Sequence, residues 1–268
     1  MDFLQAILIA IVEGLTEYLP VSSTAHMIFT SSIFGIQEND FVKLYQTAIQ
    51  LGAILAVVVL YAKKFFDFTK FNFYIKLAFA VLPALVLGYL FDDYIDAVLG
   101  NPIPIAIVLI LGGFVLLFID NYFKNPTITT EEDITIAKAV KIGFWQCLAM
   151  MPGTSRSAAS IIGGMQQGLS REVAAEFSFF LAVPTMLAVT TYSIVLKKYG
   201  ETEIPGYELL MQGNNLTLFL VGSLIAFLVS IVAIKFFIGM IKKYGFKIWG
   251  YYRILVGVAL LIYFKFIQ

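Results

Sequence analysis

The chain has 268 residues, 60% of them apolar and 13% charged, and its 18 Lys plus Arg balance 18 Asp plus Glu. A mean hydropathy of +0.87 excludes a disordered chain and a water-soluble globular fold, for which roughly 45–50% apolar residues are usual. Zero net charge leaves no basic surface for phosphates and excludes nucleic acid as a partner, so the composition is that of a polytopic membrane protein.

Met1-Asp2-Phe3 places an acid where a signal peptide carries basic residues, and no small-residue cleavage site follows, so the chain is expected to start in the mature protein. Apolar arms at 3 to 12 and 27 to 36 flank the polar stretch Glu13 to His26. Apolar runs follow at roughly 43 to 62, 77 to 91 and 103 to 121. A second pair of arms, 142 to 151 and 161 to 169, flanks Pro152 to Ser160, and runs at roughly 174 to 196, 217 to 238 and 250 to 267 complete the chain. Crossing about 30 Å of hydrocarbon takes about 20 helical residues, so the six runs predict transmembrane helices. Each arm of about ten residues rises roughly 15 Å, enough to reach the bilayer midplane only. The broken regions are therefore expected to be re-entrant helical hairpins that share one site, because irregular backbone at that depth must be packed in protein or line a wet cavity.

At an offset of 132, Pro20 falls on Pro152, Ser23 on Ser155, and Leu55-Ala56-Val57 on Leu187-Ala188-Val189, whereas Glu13 and Gln146 pair after a one-residue slip. Both halves read as one hairpin followed by three spans. The expected fold is thus an all-α polytopic membrane protein, one integral domain over 1–268. Its first repeat is 1–122 with hairpin 3–36, and its second is 138–268 with hairpin 142–169. Three spans per half invert the second repeat relative to the first. Ten lysines (Lys63, Lys64, Lys70, Lys76, Lys124, Lys138, Lys141, Lys242, Lys243 and Lys247) follow spans one, three and five. Only Lys197 and Lys198, among Asp92, Asp93, Asp96, Glu201, Glu203 and Glu208, follow spans two and four. The positive-inside rule then puts both termini and the first hairpin on the outer side.

The chemistry-bearing residues lie in the hairpin turns. Glu13 and Glu17, at i and i+4, share one helix face, and in a low-dielectric site such a pair shares a proton or holds a divalent cation. Pro20 ends the first arm, and Ser22, Ser23 and Thr24 exceed what one helix cap needs; the N-terminus they start is an anion site. His26, the single histidine, adds a base, nucleophile or proton donor. The second turn supplies Gly153, Thr154, Ser155, Arg156 and Ser157, whose backbone N–H groups and bidentate guanidinium suit a phosphoryl group. Gln46, Gln50 and Ser178 could line the same cavity, or equally bond between helices. One cysteine, Cys147, rules out a disulfide framework, and with one histidine zinc chemistry is not expected.

Glu13 to His26 (EGLTEYLPVSSTAH) and Pro152 to Ser160 (PGTSRSAAS) resemble the two signature motifs of the undecaprenyl-diphosphate phosphatase family, the bacitracin-resistance membrane phosphatases of bacteria. The resemblance covers the whole chain in length and span order. It implies hydrolysis of the terminal phosphate of the C55 isoprenyl diphosphate on the outer side of the cytoplasmic membrane, which recycles the carrier lipid for peptidoglycan synthesis. It also implies a divalent cation, magnesium or calcium. The family's acidic pair falls on Glu13 and Glu17, its serine on Ser23, its histidine on His26 and its phosphate-binding arginine on Arg156. The second motif commonly ends in Thr where this chain has Ser160, which keeps the hydroxyl. Expected partners are the lipid substrate and membrane lipids, with a homodimer left open.

Two mechanisms fit the residues: attack by Ser23 with a glutamate or His26 as base, or attack or water activation by His26 with Ser23 only binding phosphate. The rival from another class is an inverted-repeat secondary transporter or lipid-phosphate flippase, because broken helices meeting at the midplane are the usual transporter plan.

Overall fold

The computed structural model describes residues 1–99 and 101–266, so the ends of the sixth predicted run and of the second repeat lie outside the described residues. The side chains of Asp93 and Asp96 lie outside them too. Helix α1 (Phe3–Thr16) starts in a capping box, with the Asp2 side chain accepting from the Gln5 N–H and the Gln5 side chain reaching back to the Asp2 N–H. After a six-residue turn, α2 (Ser23–Ile33) runs back. Then come α3 (Asp40–Ala48), α4 (Gln50–Leu60), the short α5 (Ala62–Phe65), α6 (Phe71–Leu90), α7 (Asp92–Leu99) and α8 (Pro102–Tyr122). The second half has α9 (Ile136–Gln146), α10 (Arg156–Gln166) and α11 (Arg171–Thr191), which widens into a π-helical turn ending at Leu196. A two-residue antiparallel ribbon, β1 (Lys198–Tyr199) with β2 (Ile204–Pro205), pairs Lys198 with Pro205. Helices α12 (Gly206–Leu210), α13 (Asn215–Tyr244) and α14 (Lys247–Phe266) follow.

Among the described residues, six helices are long and apolar enough to cross a membrane: Asp40–Leu60, Phe71–Leu90, Pro102–Tyr122, Arg171–Leu196, Asn215–Tyr244 and Lys247–Phe266. They match the six predicted runs in number and order, with two displaced ends. The second starts at Phe71 rather than 77, because Lys76 does not end it: the buried ammonium donates to the Glu131 and Glu132 carbonyls at 3.0 and 2.9 Å. The fifth extends from 238 to Tyr244, where Lys242 and Lys243 in its last turn complement the negative end of the helix dipole.

The short arms also differ from expectation. Capped by Thr135, α9 begins at Ile136, six residues before the predicted arm at 142, and α10 begins at Arg156 rather than 161, so the polar run Arg156 to Ser160 is helical. The two turns are alike in their backbone. Ser22 and Ser155 are the equivalent positions, each an N-cap at positive φ, 69° and 75°, each accepting from the N–H three residues on. Their offset of 133 differs by one from the offset that pairs Ser23 with Ser155 and equals the slip that aligns Glu13 with Gln146.

Helix α1 packs on α13 and α9 on α6, while α4 packs on α13 and on α11, α11 on α6, and α8 on α14. Small residues permit two of these approaches. A side chain at Gly14 would meet the Ala226 carbonyl of α13, and one at Gly143 the Ala80 carbonyl of α6. The core between the hairpins is aromatic, with Tyr18 edge-on to Phe179 and its hydroxyl donating to the Ala53 carbonyl at 2.7 Å. Apolar side chains such as Leu111, Phe118, Leu224 and Val232 stay exposed along the outside of the long helices, as lipid contact requires.

Candidate active site

The turn after α1 carries Glu17 and the turn before α10 delivers Arg156, and the two side chains meet. Arg156 Nη2 donates to Glu17 Oε1 at 2.9 Å, and both residues are buried. Ser23, the first residue of α2, donates from Oγ to the other carboxylate oxygen, Oε2, at 2.6 Å. Glu17 is thus held between a hydroxyl from its own hairpin and a guanidinium from the opposite one. Further hydrogen bonds offset part of the cost of removing an ion pair from water, although Arg156 Nε is buried without a partner. Arg156 Nη1 accordingly donates to the Ser178 carbonyl of α11 at 2.9 Å, and the Ser178 hydroxyl bonds Ser160 at 2.6 Å.

Backbone geometry places these groups. Positive φ at Ser22 and Ser155 turns the chain sharply enough for each helix to begin directly beneath its turn, and each serine hydroxyl caps the helix it starts. Ser23 and Arg156 are therefore the first residues of α2 and α10, and a helix N-terminus is a place where an anion can be received. The turns are also tied together directly, since Ser157 Oγ donates to the Leu19 carbonyl at 2.8 Å.

A cavity of about 480 Å³ opens onto this cluster. Glu17, Ser22, Ser23, Thr24, Gly153, Ser155 and Arg156 line its polar end, with Gln50 beside them. Its walls are apolar, including Leu85, Ile95, Leu99, Met150, Met186 and Val189. Asp92, Tyr192 and Lys197 stand at the far end, where Tyr192 and Lys197 donate to the Asp92 carboxylate at 3.0 and 3.3 Å.

The other predicted site residues lie off the cavity lining. Glu13, one helical turn behind Glu17, is wholly buried, and both its carboxylate oxygens lack hydrogen-bond partners. Ser157 and Ser160 are buried and bonded to Leu19 and Ser178, and Gln46 donates to the Met27 carbonyl. Thr154 does not line the cavity. Nor does His26, whose Nδ1–H donates to the Ser22 carbonyl at 2.8 Å, leaving Nε2 to accept from the Tyr252 hydroxyl at 2.8 Å. Both ring nitrogens are thereby engaged, with the ring stacked on Tyr252 at 5.7 Å.

Among the described residues no three His, Cys, Asp or Glu side chains gather as a metal cage. The orphaned Glu13 carboxylate beside Glu17 nevertheless fits magnesium, which takes one or two carboxylates and completes its shell with water and substrate phosphate oxygens. Sequence reasoning missed Tyr252 and Arg253 of α14. Arg253, wholly buried, donates to carbonyls in both turns. The available signal was an arginine inside an apolar run long enough to cross the bilayer, a position where ionisable residues are expected to be functional.

A family model described as bacitracin resistance protein BacA matches residues 6–259. The chain is 52% identical over 269 residues to an undecaprenyl-diphosphatase of Flavobacterium johnsoniae, covering 100% of this chain and 98% of that protein. It is 49% identical over 279 residues to an undecaprenyl-diphosphatase of Porphyromonas gingivalis, covering 98% and 96%. A third relative with that name, from Bdellovibrio bacteriovorus, is 45% identical over 264 residues, covering 98% and 96%. Two turns that share one buried glutamate–arginine pair, and matches that run nearly end to end, make this chain a member of the bacitracin resistance protein BacA family.

Proposed function

We propose that this protein is an undecaprenyl-diphosphate phosphatase, releasing the terminal phosphate of the lipid diphosphate to leave undecaprenyl monophosphate. The observation that carries the reading is the joining of Ser23, Glu17 and Arg156 across two helix N-termini at the polar end of an apolar-walled cavity. A phosphoryl group suits the polar end, and the first isoprene units suit the wall. The rest of the chain would stay in the bilayer, since drawing it into water is prohibitive at about 25 cal/mol per Å² of apolar surface.

In this reading the entering phosphate competes with Glu17 for Arg156, and the freed carboxylate becomes the base for the serine it already holds. Ser23 Oγ attacks the terminal phosphorus and its proton passes to Glu17, while the bridging P–O bond breaks and its electron pair leaves on the lipid monophosphate. Water then cleaves the phosphoserine, the phosphorus taking the hydroxyl and Ser23 recovering a proton. Arg156 and the N–H groups of the two turns stabilise charge on the equatorial oxygens. His26, bonded through both nitrogens, orients Ser22 rather than attacking. Glu13 and Glu17 would hold a divalent cation, magnesium or calcium, which supplies charge neutralisation at the phosphate.

The two hairpins are re-entrant and the halves, 1–122 and 138–268, are inverted repeats. Support comes from packing that survives exchange of the halves: α1 on α13 corresponds to α9 on α6, and α4 on α13 to α11 on α6. The cavity opens to the outer side of a bacterial cytoplasmic membrane, with both termini outside. In support, Asp92 and Lys197 at its far end lie just past spans two and four, on the lysine-poor side, and Met1 packs in the cluster that holds Tyr199 and Leu209 of that side.

Phosphate release from a polyprenyl diphosphate by purified protein, with added magnesium or calcium and then with chelator, tests the reading. Release that the chelator abolishes and Ser23→Ala removes is expected. No release by folded protein would overturn it, and movement of the lipid across vesicles without hydrolysis would promote the flippase.

A further inference from the structure

Arg253 sits mid-helix in α14 with its side chain wholly buried. A guanidinium has five N–H donors, and here each has a backbone carbonyl in reach. Nε donates to Leu109 at 3.1 Å and Nη2 to Val108 at 3.5 Å, both on α8. The second Nη2 hydrogen goes to Gly153 at 2.7 Å. Nη1 divides its two hydrogens between the turns, one to Pro20 at 3.1 Å and one to Thr154 at 2.9 Å. One planar group therefore spans the first turn, the second turn and a membrane-crossing helix.

Simple packing of α8 on α14 does not require this. Burying a charge at membrane depth is expensive, and an apolar side chain would fill the same groove. The groove is also shaped for the head group, since a methyl at Gly112 of α8 would overlap the guanidinium. Its neighbour Tyr252 acts in the same direction, holding His26, which in turn holds the Ser22 carbonyl.

We propose that Arg253 is a positioning residue for the phosphatase reaction: it fixes the separation of the two turns and thereby the placement of Ser23 against Arg156. The proposal rests on the phosphatase reading above. Arg253 does not line the cavity, so its effect falls on the alignment of reacting groups rather than on substrate capture. A lysine at this position offers three donors from a single point and cannot reach both turns and α8 together.

The test compares wild type, Arg253→Lys and Arg253→Gly on a polyprenyl diphosphate, with monodispersity and thermal melting measured for each. Folded Arg253→Lys is expected to lose about 10²-fold in kcat while KM stays within about threefold, the signature of misalignment by roughly 1 Å. Guanidinium ion at about 10 mM should partly restore Arg253→Gly, and methylammonium should not, because only the planar ion can refill a slot ringed by carbonyls. Wild-type kcat in folded Arg253→Lys overturns the proposal, and so does a rise in KM alone. Loss of the fold in both variants overturns it too, making Arg253 a brace of the fold only. An inactive wild-type protein sinks the phosphatase reading itself, whereas an active wild type beside an indifferent Arg253→Lys sinks this proposal alone.

Discussion

The two turns share a backbone and differ in chemistry. Each ends in a serine at positive φ that caps the next helix, yet the residue after the cap is Ser23 in one and Arg156 in the other. One turn before the break the contrast repeats. Glu13 is a buried carboxylate with no partner, whereas its counterpart Gln146 is an amide that donates to Thr185 at 3.1 Å. The same geometric device therefore presents a hydroxyl and a carboxylate on one side and a guanidinium on the other. Two identical acidic turns would repel each other, and so would two basic ones. Different side chains after two like caps make the paired turns complementary.

The comparison breaks first if the turns do not enter from opposite faces. Single cysteines at the exposed positions Asn39 and Asn72, in a Cys147→Ser background, are probed in intact cells with a membrane-impermeant thiol reagent. Asn39→Cys is expected to label and Asn72→Cys to stay silent, an all-or-none difference. The reverse pattern would turn the cavity toward the cytoplasm, where it could not act on carrier released outside. Labelling of both would point to dual insertion, against the lysine bias.

A smaller effect sharpens the cationic half. Arg156→Lys keeps the charge but loses the planar fork that reaches Glu17 and Ser178 at once, and turnover is expected to fall by about 10²–10³-fold, nearly as far as in Arg156→Ala. Near wild-type turnover in the lysine variant would show that charge alone suffices at this position.

Much of this was legible in the sequence. Six apolar runs of spanning length located six long helices, and the polar islands at Glu13 to His26 and Pro152 to Ser160 located both turns. Helix ends were less legible, because Lys76 reads as a terminator until the Glu131 and Glu132 carbonyls that receive it are brought close by the fold. Proximity in sequence also does not fix where the His26 side chain points. It lies three residues from Ser23, yet its ring bonds the Ser22 carbonyl and Tyr252 of α14 and does not line the cavity. The part of α14 that faces the turns was hidden for the same reason, since nothing local to Arg253 names Pro20 or Thr154 as its partners.

The central claim is that residues from the two turns form one phosphate site, and a double-mutant cycle on Glu17 and Arg156 tests it most directly. Turnover of a polyprenyl diphosphate is measured for wild type, Glu17→Gln, Arg156→Ala and the double variant, each confirmed as folded. Groups that act as a unit are strongly non-additive, so the double variant is expected to be no slower than the worse single one within about threefold. Losses that multiply across the cycle would mean that the two residues act independently, and would contradict a site shared by both turns.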